Sequence, residues 1–230
     1  MCQFGFEWDD EVVHQSDRTT RYEAALETCR RRGLTFECSC SRAQLADEDR
    51  YPGHCRDRPP IPGLPTATRL RVEPGHIQFT DRIQGMFRQD VAATVGDVIL
   101  RRRDRLFAYL LAVVVDDAAQ EVTHVVRGAD LLDNTPRQIY LQQLLELERP
   151  VYSHVPVLME ADGRKLAKSA RSVRLGAAAT LPQLLEVFGL LGLTPPSELL
   201  GAALPEVWAW AIGHWDISKV PKRLTYSLEG

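Results

Sequence analysis

The stretch THVVRGADLLDNTPRQIYLQQLLELERPVYSHVPVLM (123–159) constrains the chain more than any other. THVVRG reads as a short strand that stops at Gly128. A helix follows, with Asn134 or Thr135 able to cap it and Pro136 suited to its first turn. Ile139, Leu141, Leu144, Leu145 and Leu147 form its expected buried side, and HVPVLM (154–159) is the next strand. A strand, a helix and a second strand in direct succession need a crossover connection, which argues for parallel pairing and an α/β fold.

The rest of the chain is read around that unit. Tyr22, Ala25, Leu26 and Cys29 fall at helical spacing after Ser16–Asp17, and Gly33 ends the helix behind Arg30, Arg31 and Arg32. LTFECSC (34–40), TRLRV (68–72), IQFTD, GMFRQD and VILRRR read as short strands, with a Pro-rich loop, RDRPPIPGLP, between the first two. The middle of the chain is therefore β-rich, and strands alternating with helices after Asp97 predict a parallel sheet. LFAYLLAVVVDD fits a buried strand or a buried helix equally, because a continuous apolar run has no diagnostic period. Helices dominate from Thr180 onward. No apolar run approaches the roughly 20 residues of a membrane span, and the acidic, aromatic start MCQFGFEWDDE has no secretion-signal pattern. A cytoplasmic protein is expected, so its five cysteines are read as thiols or metal ligands. A net charge of -3 requires that any nucleic-acid contact be concentrated on one face.

Two local clusters carry chemistry. The chain has only four lysines, and Lys165 and Lys168 lie three positions apart in DGRKLAKS (162–169), directly after a strand. Two ammonium groups on a glycine-containing loop can grip a triphosphate and stabilise the charge that develops as pyrophosphate leaves. Cys38-Ser39-Cys40 and, fifteen residues later, Cys55 supply three soft thiolates separated by a polar loop with a Pro52–Gly53 turn. Three thiolates and one further donor fit tetrahedral zinc, with Tyr51 or His54 as the fourth. Cys29, on the apolar face of the first helix, is expected in the core.

KLAKS resembles the KMSKS loop of class I aminoacyl-tRNA synthetases. FAYLLAVVVDD and THVVRGADLLDNTPRQIYL resemble the glutamyl and glutaminyl branch of that class. Cys-x-Cys followed by Tyr-x-x-x-Cys resembles the zinc-binding insertion of its truncated, queuosine-directed paralogues. The resemblance runs from about Phe6 to beyond Ser169. It implies an α/β, class I Rossmann catalytic fold, N-terminally incomplete, with a zinc-bearing β-rich insertion and a helical C-terminal part. The implied divisions are 1–35 for a remnant of the first half of the nucleotide-binding fold, 36–95 for the insertion, 96–175 for the second half with the KLAKS loop, and 176–230 for the helical region. It makes LFAYLLAVVVDD a helix beside the substrate pocket.

The implied activity is ATP-dependent activation of glutamate, with magnesium accompanying the nucleotide, and transfer of the glutamyl group to queuosine in the anticodon of tRNA(Asp). A fragment of a discriminating glutamyl-tRNA synthetase and a non-catalytic zinc and RNA-binding remnant are the alternatives. Lys165 and Lys168 become the catalytic, ATP-binding lysines, Tyr109 and Arg127 the glutamate-binding residues, and Cys38, Cys40, Tyr51 and Cys55 the zinc ligands. A monomer is expected, with no membrane partner. The pattern departs from the family in two places. No HIGH-type ATP loop precedes FGFEWDDEVVHQS, which implies half an ATP site in this chain alone. Ala167 stands where the family carries serine, a loss on the order of 1 kcal/mol for one hydrogen bond.

Overall fold

A computed structural model describes residues 4–41, 43–160, 165 and 180–227. The elements are α1 (Thr19–Arg31), β1 (Thr35–Cys38), β2 (Ala67–Leu70), β3 (His76–Asp81), β4 (Gly85–Asp90), α2 (Val91–Thr94), β5 (Val98–Arg101), α3 (Tyr109–Ala119), β6 (His124–Gly128), α4 (Thr135–Leu145), β7 (Val151–Val155), β8 (Val157–Met159), α5 (Thr180–Leu190), α6 (Leu204–His214) and β9 (Thr225–Ser227). None of the described helices is long and apolar enough to cross a membrane.

Among the described residues the strands form four small sheets: β1-β2-β5, β3-β4, β6-β7 and β8-β9. β6 and β7 pair in parallel, with α4 making the crossover. HVPVLM, expected as one strand, is divided at Pro156 between the end of β7 and β8, because proline has no N–H for the ladder, and β8 pairs in parallel with β9. VILRRR departs from expectation. As β5 it pairs antiparallel with β2 and lies outside the parallel pair. TRLRV is a strand in its first three residues, within β2, and all four residues of β2 are buried, because β2 is the central strand and both its faces are covered. Two of its polar side chains find partners there, Thr68 donating to Glu37 Oε1 at 2.7 Å and Arg69 Nη1 to the Asp97 carbonyl at 2.7 Å.

The main core joins α1, β2, β5, α3 and α4 through Leu26, Leu70, Leu100, Leu111 and Leu141, all fully buried. Each such leucine contributes about 1.5–3 kcal/mol. Cys29 lies in this core. The apolar run 106–115 resolves as helix α3, preceded by Ala108 in an extended conformation at the N-cap. Asp116 locks α3 to the start of the chain. It pairs with Arg18 at 2.6 Å and accepts from the Tyr22 hydroxyl at 2.7 Å and Gln15 Nε2 at 3.1 Å. Burial, aided by the bond to Asp116, pushes the Tyr22 phenol up to about 12. Pro136 sits in the first turn of α4, but neither the Asn134 nor the Thr135 side chain caps it, and Thr135 turns inward instead. A second core, around Leu184, Phe188 and Val207, belongs to the C-terminal helices.

Candidate functional site

The parallel pair β6-β7 carries Arg127 and His154 near its carboxyl end, the end at which open α/β sheets bind ligands. Arg127 and His154 are direct partners in the register. Arg127 Nε lies 3.0 Å from His154 Nε2, and its Nη2 donates to Thr135 Oγ1 at 2.8 Å and Gln138 Oε1 at 2.7 Å. Both latter residues are buried on α4. With Nε and Nη2 engaged, the side of the guanidinium that forks onto a carboxylate is occupied. Nη1 alone has no hydrogen bond among the described residues, so Arg127 offers a single arm. Its guanidinium also lies 5.3 Å from the Tyr152 ring centroid, a cation–π contact.

His154 is fully buried, and its Nδ1 lies 2.6 Å from Asp81 Oδ2. Asp81 Oδ1 accepts from the backbone N–H groups of Ile83 (3.0 Å), Gln84 (2.9 Å) and His154 (3.1 Å). Burial alone would raise the Asp81 carboxyl. The bonds from His154 and from the three N–H groups outweigh it and hold the group below its ordinary value.

Tyr109 begins α3 and is 54% exposed on the wall of a cavity of about 430 Å³. Tyr51, Arg69, Asp97, Arg137 and Gln138 share that wall. Arg127 does not line the cavity but reaches it through Gln138, to which it is bonded. Lys165 does not line it either. Lys165 bridges to Met159 and forms an ion pair with Asp130, just beyond the end of β6. Asp130 folds back across Gly128, where a Cβ would fall 2.4 Å from Asp130 Oδ1 and 3.3 Å from Val157. Glycine at 128 thus lets Asp130 tie Lys165 to the strand that carries Arg127. Lys168, the other expected ATP-binding residue, lies outside the described residues, as does Ala167.

The three cysteines converge. The Sγ atoms of Cys38, Cys40 and Cys55 lie within 4.8 Å of one another, with Cys40 and Cys55 at 3.5 Å. The Tyr51 hydroxyl lies 3.4 Å from Cys38 Sγ and accepts the Cys55 backbone N–H at 2.9 Å. Zinc bonds of about 2.3 Å to sulfur and about 2.0 Å to oxygen set tetrahedral edges of about 3.8 and 3.5 Å. The cluster fits that size. No nitrogen of His54 joins it, and its ring meets that of Tyr51 edge-on at 6.4 Å. Burial and the bonds to Cys55 and Cys38 push the Cys40 thiol up to about 12, and burial raises the Tyr51 phenol. At Cys55 burial also raises the thiol, but bonds from Cys40, the Ser39 backbone, Tyr51 and Cys38 outweigh it and bring the group down to about 7. Tyr51 is fixed from behind. Its backbone N–H donates to the Val95 carbonyl at 3.0 Å, its ring carries Arg69 at 3.8 Å, and a Cβ at Gly96 would lie 2.2 Å from its carbonyl oxygen. One residue therefore belongs both to the thiol cluster and to the cavity wall.

Asp81, His154, Thr135 and Gln138 were not visible as site residues in the sequence. The available signal was a polar residue set inside an apolar strand, as His154 is in VYSHVPV.

Comparison with known proteins follows the same lines. The family model for class I tRNA synthetases (E and Q), catalytic domain, matches residues 1–198. The chain is 50% identical over 223 residues to the glutamyl-Q tRNA(Asp) synthetase of Ectopseudomonas mendocina, covering 96% of this chain and 76% of that protein. It is 48% identical over 228 residues to the protein of the same name from Thiobacillus denitrificans, covering 95% and 75%. Among solved structures, a glutamate tRNA ligase from Elizabethkingia meningosepticum in complex with its amino acid superposes with a TM-score of 0.72 at 19% identity. That match covers 95% of this chain and 52% of the ligase, so the chain spans about half the length of the solved structure and shares its fold.

Proposed function

The chain belongs to the catalytic-domain family of class I glutamyl and glutaminyl tRNA synthetases, and from that premise we propose that it activates glutamate with ATP and transfers the glutamyl group to queuosine in tRNA(Asp). The observation that carries this reading is 50% identity, over 96% of the chain, to a protein named for that reaction.

In the first step a glutamate carboxylate oxygen bonds to the α-phosphorus of ATP and pyrophosphate leaves. In the second, the queuosine acceptor group bonds to the activated carbonyl and AMP leaves. Arg127 presents Nη1 to a carboxylate of glutamate, and Tyr109 orients it from the first turn of α3. The link through Gln138 supports this pairing, since it makes Arg127 and the Tyr109 cavity one bonded unit. Lys165, held by Asp130 at the sheet's carboxyl end, and Lys168 hold the ATP phosphates as point charges. Magnesium accompanies the nucleotide.

Cys38, Cys40, Cys55 and Tyr51 would hold zinc, which would cross-link the 36–95 insertion and neutralise its thiolates. Its place beside the cavity gives it a positioning role through Tyr51, away from the reacting atoms.

ATP–pyrophosphate exchange tests the reading, measured on this chain and on a form extended upstream of Met1, with and without tRNA. Exchange that requires glutamate and ignores glutamine and aspartate is expected. Failure of both forms, or exchange with another amino acid in preference, would overturn it.

A further inference from the structure

Arg127 is held by three acceptors, and one of them accepts in only one protonation form. Thr135 and Gln138 offer oxygens. The third acceptor is His154 Nε2, at 3.0 Å from Arg127 Nε, with Thr135 Oγ1 also 3.2 Å away. A guanidinium can only donate, so Nε2 must carry a lone pair. The proton then sits on Nδ1, facing Asp81 Oδ2 at 2.6 Å. A doubly protonated ring would set N–H against N–H and place a second cation against the guanidinium. The other oxygen of Asp81 already takes three backbone N–H groups and stabilises no alternative arrangement.

We propose that Asp81 sets the tautomer of His154, and that this tautomer fixes the direction in which Arg127 presents its free Nη1 arm to the amino-acid substrate. Asp81 and His154 are positioning residues, His154 acting through Arg127 and Asp81 through His154. The inference rests on the reading of Arg127 as the glutamate anchor. Asp81 comes from the end of the β3-β4 hairpin, so the β-rich middle of the chain reaches the amino-acid site through this dyad as well as through Tyr51.

Asp81→Asn tests the idea with a change of one atom. Three N–H donors keep the amide oxygen at the Oδ1 position, so the new NH2 group faces His154 Nδ1. It donates there, the ring proton moves to Nε2, and Arg127 Nε loses its acceptor. Nitrogen-15 NMR of the histidine rings reads this directly, His154 being identified by contacts with the stacked Tyr152 ring. The native chain is expected to carry the Nδ1–H form and Asp81→Asn the Nε2–H form. An imidazolium or an Nε2–H ring in the native protein overturns the proposal, whether or not the variant folds.

The functional arm is a glutamate KM raised about tenfold or more in Asp81→Asn, with the KM for ATP unchanged. Introduced into Arg127→Lys, the same substitution should add less than about twofold, because the two residues act as one unit. Equal effects in both backgrounds would overturn the proposal, since a merely structural loss would not depend on Arg127. If the native protein shows no glutamate dependence at all, the functional reading falls while the NMR arm still tests the dyad.

Discussion

Arg127→Lys lowers the second-order rate constant for glutamate in pyrophosphate exchange by about tenfold to a hundredfold, with the loss in the KM for glutamate. The substitution keeps the charge and changes the shape. Native Arg127 is clamped by His154, Thr135 and Gln138, and the clamp leaves Nη1 without a hydrogen bond among the described residues. An ammonium has no fork and cannot satisfy the three acceptors while reaching a ligand. One hydrogen bond to a charged group is worth about 1.5–3 kcal/mol, or roughly one to two powers of ten. The KM for ATP should hold within about twofold, because Arg127 is proposed to touch only the amino acid. An equal loss for both substrates would point to a damaged fold and remove Arg127 from amino-acid recognition.

The second large effect concerns the thiol cluster. Purified protein should contain about one zinc per chain, and Cys40→Ser should remove most of it and lower the melting temperature by about 10 °C. The size of the effect follows from how little else holds this region. Among the described residues from Ser39 to Thr66, Tyr51 is the only buried hydrophobic, so a metal cross-link would stand in for a core. His54→Ala should keep the metal, since no nitrogen of His54 joins the cluster. Metal-free native protein would refute the centre, and loss of metal on changing His54 would replace Tyr51 in the ligand set.

How far the sequence disclosed this arrangement depended on whether the information was local. The stripe Tyr22–Leu26–Cys29, the strand stopping at Gly128 and the Pro136 helix start could be read because period and punctuation lie within a few residues. The run 106–115 could not, since a strand and a helix buried on all sides have the same apolar pattern; family resemblance made it a helix, as α3 is. The pairing of β5 with β2 was out of reach because it joins segments about 30 residues apart with no local mark. Gln138 and Gln142 were missed on the inner side of α4, where polarity suggests solvent; they are buried because Arg127 and Tyr152 give them partners. The Cys38–Cys40–Cys55 set was legible from spacing. Spacing alone left Tyr51 and His54 open as the fourth donor; the family resemblance pointed to Tyr51, whose hydroxyl lies 3.4 Å from Cys38 Sγ. Arg127 was singled out by resemblance, but its anchorage to His154 and Asp81 is a product of β6-β7 register and the β3-β4 turn.

Queuosine in tRNA(Asp) is the proposed acceptor, and transfer of labelled glutamate to purified tRNA tests this most directly. Acid-precipitable label should appear on tRNA(Asp) that carries queuosine, and not on the same tRNA lacking the modified base or on tRNA(Glu). Label on tRNA(Glu), or on unmodified tRNA(Asp) to the same extent, would contradict it.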